Sequence, residues 1–568
     1  MKVKWQVAEK APSEFIEKFP EINPVILNLL YNRSLDTQEK IDEFLYPDYS
    51  ADQNSPEKFA QLDQALFRID KALKNQEKVV IHGDYDADGV CSTCLMMEVL
   101  KKIGLKNIGV YIPNRETEGY GLNKKTVAKF VKDKVDLIIT VDCGIASAEE
   151  IKLAKEKGID TIITDHHHEP LNFPKDAVAI LDSAIASEPY PFKQLAGSGV
   201  AFKLAQALIK KYDLGEGYEK WLLDLVAIST ITDCMPLLSE NHTLTRYGLI
   251  VLNKTKRIGL KKLFKKIGNN FKVIDEEVVG FRIGPRLNAA GRMDHANTAY
   301  QLLITKDEEE AEKLAKQLCD SNTARQQATE KIVKEVKKQL KDQENNYTLF
   351  AFSDKWPIGI LGLAAGKIAD EYNKPTFVIT GNHGEITGSG RSIPSLNLIE
   401  TVQECEKYLS RYGGHAQACG FTLKSKEDLP KFKETFLKIA AKKLKGQDLT
   451  KALHVDAAIK LCDINWNLVN ELEKFSPFGE GNRRPKFLIE NLSITSWQLV
   501  GKEKKHLRMV VCCENKDHKK SIGFNLGSWS PNIKPGSKVS IVCELGVNEW
   551  NGSKEIQIKI IDLKLCTP

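Results

Sequence analysis

From about residue 78 to 182, short β-branched runs alternate with stretches of helical period, the pattern of a parallel sheet built from βαβ units. The runs cover 79–81, 108–112, 137–141, 161–163 and 178–181. Helices are expected between the first four of them, for example Ser92 to Lys102 and Ser147 to Lys157, the second opened by Ser-Ala-Glu-Glu and closed by Gly158. A helical region runs on through Leu249, and residues 306–343, free of Pro and Gly, predict a long charged helix that spaces two lobes apart. A second α/β lobe is expected from about Tyr347 to Lys445. Beyond Gln447 short strands at 493–500, 508–512 and 538–544, broken by Gly and Asn turns, predict a small β-barrel. The expected fold is thus α/β and multidomain: an N-terminal extension (1–50), a parallel-sheet domain (51–255), a motif-bearing connector with the long helix (256–345), a second α/β domain (346–446) and the barrel (447–568).

At 568 residues the chain is too long for one hydrophobic core, which fits this division. Its 42% hydrophobic and 28% charged residues are ordinary for a globular protein and argue against disorder. A formal net charge of +6 neither demands nor excludes a polyanionic partner. The densest basic stretch, Lys254, Lys256, Arg257, Lys261, Lys262, Lys265 and Lys266, alternates with apolar residues as on an amphipathic helix, and a solvated helix face accounts for it better than a phosphate-tracking patch. Twelve cysteines are too dilute for a disulfide scaffold, the opening Met1-Lys2-Val3-Lys4-Trp5 lacks the apolar stretch of a signal peptide, and no segment approaches the length of a membrane span. A reducing, cytoplasmic setting without membrane contact is the expectation. Cys91 and Cys94 form a CxxC with no matching second pair, inside the apolar run Cys91 to Leu100, and are expected to be buried thiols.

The chemistry concentrates where strands end. The run ending at Ile81 leads into His82-Gly83-Asp84-Tyr85-Asp86-Ala87-Asp88-Gly89. Three carboxylates this close repel one another unless a cation offsets them, and a hard divalent metal is their natural partner. An EF-hand loop matches through the glycine at its sixth position but fails at the twelfth, where Leu95 stands. Two further strands end alike, in Val141-Asp142-Cys143-Gly144 and in Thr164-Asp165-His166-His167-His168. Residues just past the carboxyl ends of parallel strands converge on one crevice, so Asp84, Asp86, Asp142, Asp165 and His166 are expected to be neighbours.

Three arginines within eleven residues, Arg282, Arg286 and Arg292, held with Pro285 and Gly284, suit an anion-facing loop. Gly388-Ser389-Gly390-Arg391-Ser392 offers hydroxyl and guanidinium donors between glycines, fit for a phosphate. His415, after Gly413 and Gly414, is equally well read as a ligand-facing or a structural histidine, and Tyr120 as a base-stacking or a structural tyrosine.

Taken in order, Asp84 to Gly89, the Val-Asp-Cys-Gly ending, Asp165-His166-His167, Tyr190 to Gly197, Ala227 to Leu237 with Asp233, Arg282 to Arg292, Pro357 to Gly362, Gly388 to Ser392 and Gly413-Gly414-His415 resemble the DHH phosphoesterases, and among them the RecJ family. His168 is additional to that pattern. The resemblance implies a DHH domain, a connecting helix, a DHH-associated domain and a C-terminal OB fold, with nucleic acid lying in a cleft between the two α/β lobes. It implies hydrolysis of single-stranded DNA from the 5′ end in recombination and repair, with two manganese or magnesium ions as cofactors. Asp84, Asp86, Asp142, His166 and Asp233 are the implied ligands, with Asp86 or Asp142 bridging. Asp88 and Asp165 would orient ligands, and His167 would stand nearest the phosphate. Arg286, Asn288 and Arg292 would contact the nucleic-acid backbone, Arg115, Ser389 and Arg391 a terminal phosphate, with Ser392, His415 and Tyr120 nearby. Single-strand-binding protein and a RecQ-type helicase are the implied partners. Two other readings stand beside this one: hydrolysis of a short oligoribonucleotide or cyclic dinucleotide, and a non-catalytic DNA-binding replication scaffold.

Overall fold

The computed structural model describes residues 3–268, 273–343, 345–381, 384–514, 517–550 and 552–566. Met1 and Lys2 of the opening run lie outside the described residues. The chain divides into two compact units, residues 54–233 with 247–450, and residues 1–53 with 234–246 and 451–568.

After β1 (Lys4–Val7), the first unit contains β2 (Val79–Gly83), β3 (Ile108–Tyr111), β4 (Leu137–Val141), β5 (Asp160–Asp165) and β6 (Ala179–Asp182). They form one all-parallel sheet in the order β3-β2-β4-β5-β6. The five expected strands are all present, and β2 and β4 are buried along their whole length, as helices on both faces require. Strand order reverses between β2 and β4, which places the crevice of an open α/β sheet at their carboxyl ends. The helix expected from Ser92 spans Ala87–Lys102, because Asp86 caps it by accepting from the Asp88 and Gly89 N–H groups. That helix is buried nearly all round, so Cys91 and Cys94 are indeed enclosed thiols. Helices Gly197–Lys211 and Leu223–Thr232 pack against it.

The arginine-rich loop expected around Arg282 to Arg292 is helical instead: a π turn, Val279–Ile283, runs into the α-helix Gly284–Met293. Pro285 stands in the first turn, where its missing N–H costs nothing. The glycines serve close packing and not a turn. A Cβ on Gly284 would fall 2.2 Å from Thr232 Cγ2, and one on Gly291 2.3 Å from the Tyr85 carbonyl oxygen. The long helix spans Glu308–Gln339, opened by Asp307 accepting from the Glu310 N–H. The basic helix Ile258–Ile267 buries Leu260 and Leu263 and pairs Lys262 with Glu308 and Lys266 with Glu312. Arg257, expected on the same solvated face, is instead enclosed and bonded to Glu98 and Asp224.

The second lobe of this unit holds β7 (Leu349–Ser353), β8 (Thr376–Thr380), β9 (Thr387–Arg391), β10 (Leu409–His415) and β11 (Ala418–Leu423), in the order β10-β11-β9-β8-β7. Gly388 and Gly390 lie within β9, where a Cβ would strike the rings of Phe421 and Phe377. The glycines therefore clear one face of the strand for an aromatic core, and alternation gives Ser389 and Arg391 to the other.

The second unit adds β12 (Ala452–Val455), β13 (Ala457–Ala458), β14 (Lys486–Val500), β15 (His506–Cys512), β16 (His518–Gly523), β17 (Lys538–Trp550) and β18 (Ser553–Leu565). Pairing runs β14-β15-β16-β18-β17 and returns to β14, closing a five-stranded barrel. The expected N-terminal extension does not stand apart from it. Strand β1 pairs in parallel with β12, and Leu27, Leu30 and Phe44 share a core with Phe487 and Ile541. The short helices Pro24–Tyr31 and Gln38–Leu45 each carry an apolar face that only such a partner can bury. No helix among the described residues is long and apolar enough to cross a membrane.

Candidate metal centre and anion pocket

Asp84 and Asp86 follow β2, Asp142 follows β4, and an oxygen of each lies within 4.8 Å of one from the others. Asp142 has a φ of +59°, a left-handed conformation uncommon outside glycine. Helix Gly197–Lys211 begins directly against it: a Cβ on Gly197 would sit 2.7 Å from Asp142 Oδ1, so only glycine lets this helix end approach. His166 Nε2 lies 3.2 Å from Asp142 Oδ1 and 3.6 Å from Asp233 Oδ2, and Asp233 caps the end of helix Leu223–Thr232. The five ligands expected from the sequence thus come together from β2, β4, β5 and one helix end.

Their electrostatics fit a cation. Burial, then the charge of Asp86, holds the Asp84 carboxyl well above the usual carboxylate range, and burial with Asp88, Asp86, Asp84 and Asp233 does the same to Asp142. Asp233 is pushed up to about 9 by burial and by Asp88 and Asp86. Asp84 Oδ1 and His166 Nδ1 are buried without a hydrogen-bond partner. Crowded carboxylates with an imidazole suit a hard divalent metal of the magnesium or manganese type.

Around this cluster stand residues that hold it. Asp88 accepts from the Gly197 and Ser198 N–H groups at 2.7 and 2.8 Å and from the hydroxyls of Ser92 and Ser229, so it ties its own helix to the helices Gly197–Lys211 and Leu223–Thr232. Asp165 accepts from the N–H groups of Ile145, His166 and His167 and from His167 Nδ1 at 2.8 Å. Although burial works against it, the bond to His167 keeps Asp165 below its ordinary value. For His167 burial is likewise outweighed, by Asp165, Asp233 and Asp84, and its imidazole rises to about 9. The Tyr120 hydroxyl donates to the Asp142 carbonyl at 3.2 Å and lies 3.0 Å from His167 Nδ1, while its ring stays 42% exposed. His168, outside the motif, meets His415 across the lobes with ring centroids 5.8 Å apart.

Beside the acids lies a second cluster of opposite sign. Burial lowers the Arg292 guanidinium to about 10; Arg115, Arg325 and Arg391 press it down further, while Asp86 holds it up. Arg115 lies over the Tyr85 ring at 4.7 Å. Arg391 donates to Ser389 Oγ at 3.1 Å, and a Cβ on Gly362, at the start of helix Leu361–Tyr372, would fall 2.6 Å from its Nη2. Arg292 donates to the Gly359 carbonyl at 3.1 Å, which joins the two lobes. Arg115, Arg325 and Arg391, from three other elements, thus all act on the charge of Arg292, while Arg292 feels Asp86 and Arg115 feels Asp84, a concentration of positive charge suited to phosphate. Arg325, on the long helix, has no motif to mark it; its one sequence signal is an arginine on a helix beside the predicted cleft.

Other expected nucleic-acid contacts are placed differently. Asn288 Oδ1 accepts from the Ala87 N–H at 2.7 Å and so steadies the aspartate loop. Arg286 turns to Cys319 of the long helix and to the Arg282 carbonyl. Ser392 donates its hydroxyl to the Leu396 carbonyl and shapes a turn. In the barrel unit, a cleft of about 660 Å³ on the outer face of β14, β15, β16 and β18 is lined by His506, Arg508, Lys520 and Phe524 among others. Sequence patterning did not single out these residues, since an exposed strand face carries no motif.

A parallel sheet with aspartates past β2 and β4, an Asp-His-His ending on β5 and a second α/β lobe carrying arginine donors define a DHH phosphoesterase. Family models agree in their order along the chain: DHH family, N-terminal domain over residues 78–230, DHHA1 domain over 344–442 and RecJ OB domain over 455–562. The chain belongs to the RecJ family. It is 39% identical to the single-stranded-DNA-specific exonuclease RecJ of Bacillus subtilis over 567 residues, covering 99% of this chain and 71% of that protein. The RecJ of Haemophilus influenzae is 30% identical over 527 residues, covering 89% and 91%. The crystal structure of RecJ in complex with Mn2+ from Thermus thermophilus superposes with a TM-score of 0.85 at 26% identity, covering all of this chain and 80% of that one.

Proposed function

We propose that the chain is a divalent-metal-dependent exonuclease that hydrolyses single-stranded DNA from its 5′ end, acting in recombination and repair. The observation that carries this is the gathering of Asp84, Asp86 and Asp142 with His166 and Asp233 past the ends of β2, β4 and β5, with Arg292, which feels the Asp86 charge, bonded across to the second lobe through the Gly359 carbonyl. An anion pocket beside a metal cluster seats a strand end next to the chemistry. Asp84, Asp86, Asp142, His166 and Asp233 are the residues that would hold manganese or magnesium ions, two in this reading. When bound, such ions supply Lewis acidity toward phosphoryl oxygens, water and the leaving oxygen.

The chain's own residues do the rest. Asp88 and Asp165 fix the ligand geometry through the N–H groups they accept. His167, kept protonated by Asp165, presents positive charge toward the phosphate, and Tyr120 holds its ring. Arg391, Ser389 and Arg115 bind a 5′-terminal phosphate, whose extra charge and three acceptor oxygens distinguish an end from an internal diester. The barrel grips the rest of the strand through the cleft around Arg508, Lys520 and Phe524. Residues 54–233 with 247–450 form the cutting body, and the unit of residues 1–53, 234–246 and 451–568 the grip, in a cytoplasmic enzyme that meets single-strand-binding protein and a RecQ-type helicase. A dinucleotide substrate leaves the barrel without a task, and a non-catalytic scaffold leaves the complete ligand set without one.

A digestion time course tests the reading. Strands of DNA and RNA, labelled at either end, are incubated with Mn2+, Mg2+ or a chelator. The 5′ label of DNA should leave first, and the chelator should stop the reaction. Earlier loss of the 3′ label, or equal rates on RNA, overturns it.

A further inference from the structure

Strand β3 is an edge of the parallel sheet, and the chain that leaves it does not turn straight into the next helix. Residues 112–123 instead cross the carboxyl ends of the sheet before helix Lys124–Lys132 begins. Arg115 lies over the ring of Tyr85, past β2, and the Tyr120 hydroxyl reaches the Asp142 carbonyl past β4 and His167 past β5. The crossing covers three strand spacings, about 14 Å at about 4.8 Å each. Positive φ angles at Gly119 (+81°) and Gly121 (+78°), on either side of Tyr120, let the chain turn there. One segment thus serves both clusters: Arg115 is felt by Asp84 on one side and by Arg292 and Arg391 on the other.

Apolar packing does little to hold this segment, since every residue from Asn114 to Tyr120 is at least partly exposed. One carboxylate ties it down. Glu118 Oε2 accepts from the Asn114 N–H at 2.7 Å, and Oε1 accepts from the Tyr111 hydroxyl on β3 and, at 3.5 Å, from the Thr126 hydroxyl on the next helix. Asn114 completes the knot, its carbonyl accepting from the Glu118 N–H at 2.9 Å and its side-chain oxygen from the Glu116 and Thr117 N–H groups. Burial works against the charge on Glu118, yet the Asn114 N–H and the Tyr111 hydroxyl keep its carboxyl below the ordinary value, so it stays an acceptor for both.

We propose that Glu118 is the positioning residue of end recognition: by tying loop 112–123 to β3 and to helix Lys124–Lys132, it holds Arg115 where a 5′-terminal phosphate is bound. It rests on the exonuclease reading and adds to it a residue that acts through Arg115. Without the carboxylate the loop gains conformational freedom that binding must then remove, and Arg115 meets the phosphate only in a fraction of the loop's conformations. Any loss that passes through Tyr120 falls on every strand alike, whereas the loss through Arg115 falls only on strands that carry the phosphate.

The test reads the ratio of kcat/KM on 5′-phosphorylated to 5′-hydroxyl single strands in a double-mutant cycle. Glu118→Ala should lower that ratio about tenfold. Arg115→Ala should lower it at least as much, and adding Glu118→Ala to Arg115→Ala should lower it no further, because a carboxylate that works through Arg115 then has nothing left to place. Glu118→Gln, which keeps an oxygen for the Asn114 N–H, should stay within about threefold of the wild type. A merely structural role would slow both strands alike and leave the ratio at its wild-type value, which overturns the proposal, as do additive losses in the cycle. Should Glu118→Ala fail to fold, Glu118→Asp, whose shorter side chain cannot serve the Asn114 N–H and the Tyr111 hydroxyl together, takes its place in the cycle. A wild type that degrades no single strand removes the exonuclease reading and this inference with it, whereas one that cuts both strands with no preference for the phosphorylated end leaves hydrolysis standing and overturns this inference.

Discussion

The acid cluster and the arginine cluster are mirror cases of the same strain. Asp84 and Asp142 are buried so close to other carboxyls that their charged forms are disfavoured, and Arg292 is buried so close to other guanidinium groups that its charge is disfavoured too. Each cluster is costly to hold alone, and each is relieved by the opposite charge: cations for one, phosphate for the other. They differ in construction. The acids sit on one sheet edge, fixed by backbone N–H groups and by a helix end that only Gly197 allows so near. The arginines come from four separate elements and lean across two lobes. A rigid edge suits bond breaking, where small displacements are expensive, and a pocket shared between lobes suits recognition of an end.

The sharpest way to separate the two is to remove one carboxylate. Asp142→Ala is expected to lower turnover by about 10³-fold on 5′-phosphorylated and 5′-hydroxyl strands alike, measured at saturating metal. The fold should survive, with an unchanged or higher melting temperature in chelator, because the substitution relieves repulsion. Near-normal turnover would end the assignment of this edge to the chemistry.

Arg391→Ala should act on the other side of the comparison. The preference for 5′-phosphorylated over 5′-hydroxyl strands is expected to fall by about 10- to 100-fold, while Mn2+ affinity, read by calorimetry, stays as in the wild type. A retained preference in side-by-side rates would place end recognition elsewhere.

The smallest effect belongs to the barrel, which contributes to neither cluster. Replacing Arg508 or Lys520 by Ala should lower the slope of log affinity against log salt by about one unit each, with turnover on short strands little affected. An unaltered slope for both would leave the cleft they line without a role in holding the strand.

Much of this was legible before any coordinates. Strand after strand ending in Asp or Asp-His-His marks one sheet edge, because parallel connectivity forces carboxyl ends to the same side. That logic brings Asp84, Asp86, Asp142, Asp165 and His166 together from local signals alone. Local reading went astray at the arginine segment, expected as a loop and found helical, where Gly284 and Gly291 exist for the close approach of Thr232 and the Tyr85 carbonyl. The sequence alone determined the carboxylates and imidazole gathered at the sheet edge, the order of domains and the barrel. Only the tertiary structure decided that residues 1–53 complete the barrel unit, that Arg325 joins Arg115, Arg292 and Arg391, and that Asn288 serves the aspartate loop. The physical reason is range. A strand end or a helix cap is written within a few neighbouring residues, whereas a shared core or a cluster of like charges is set by packing between segments hundreds of residues apart, which no local pattern records.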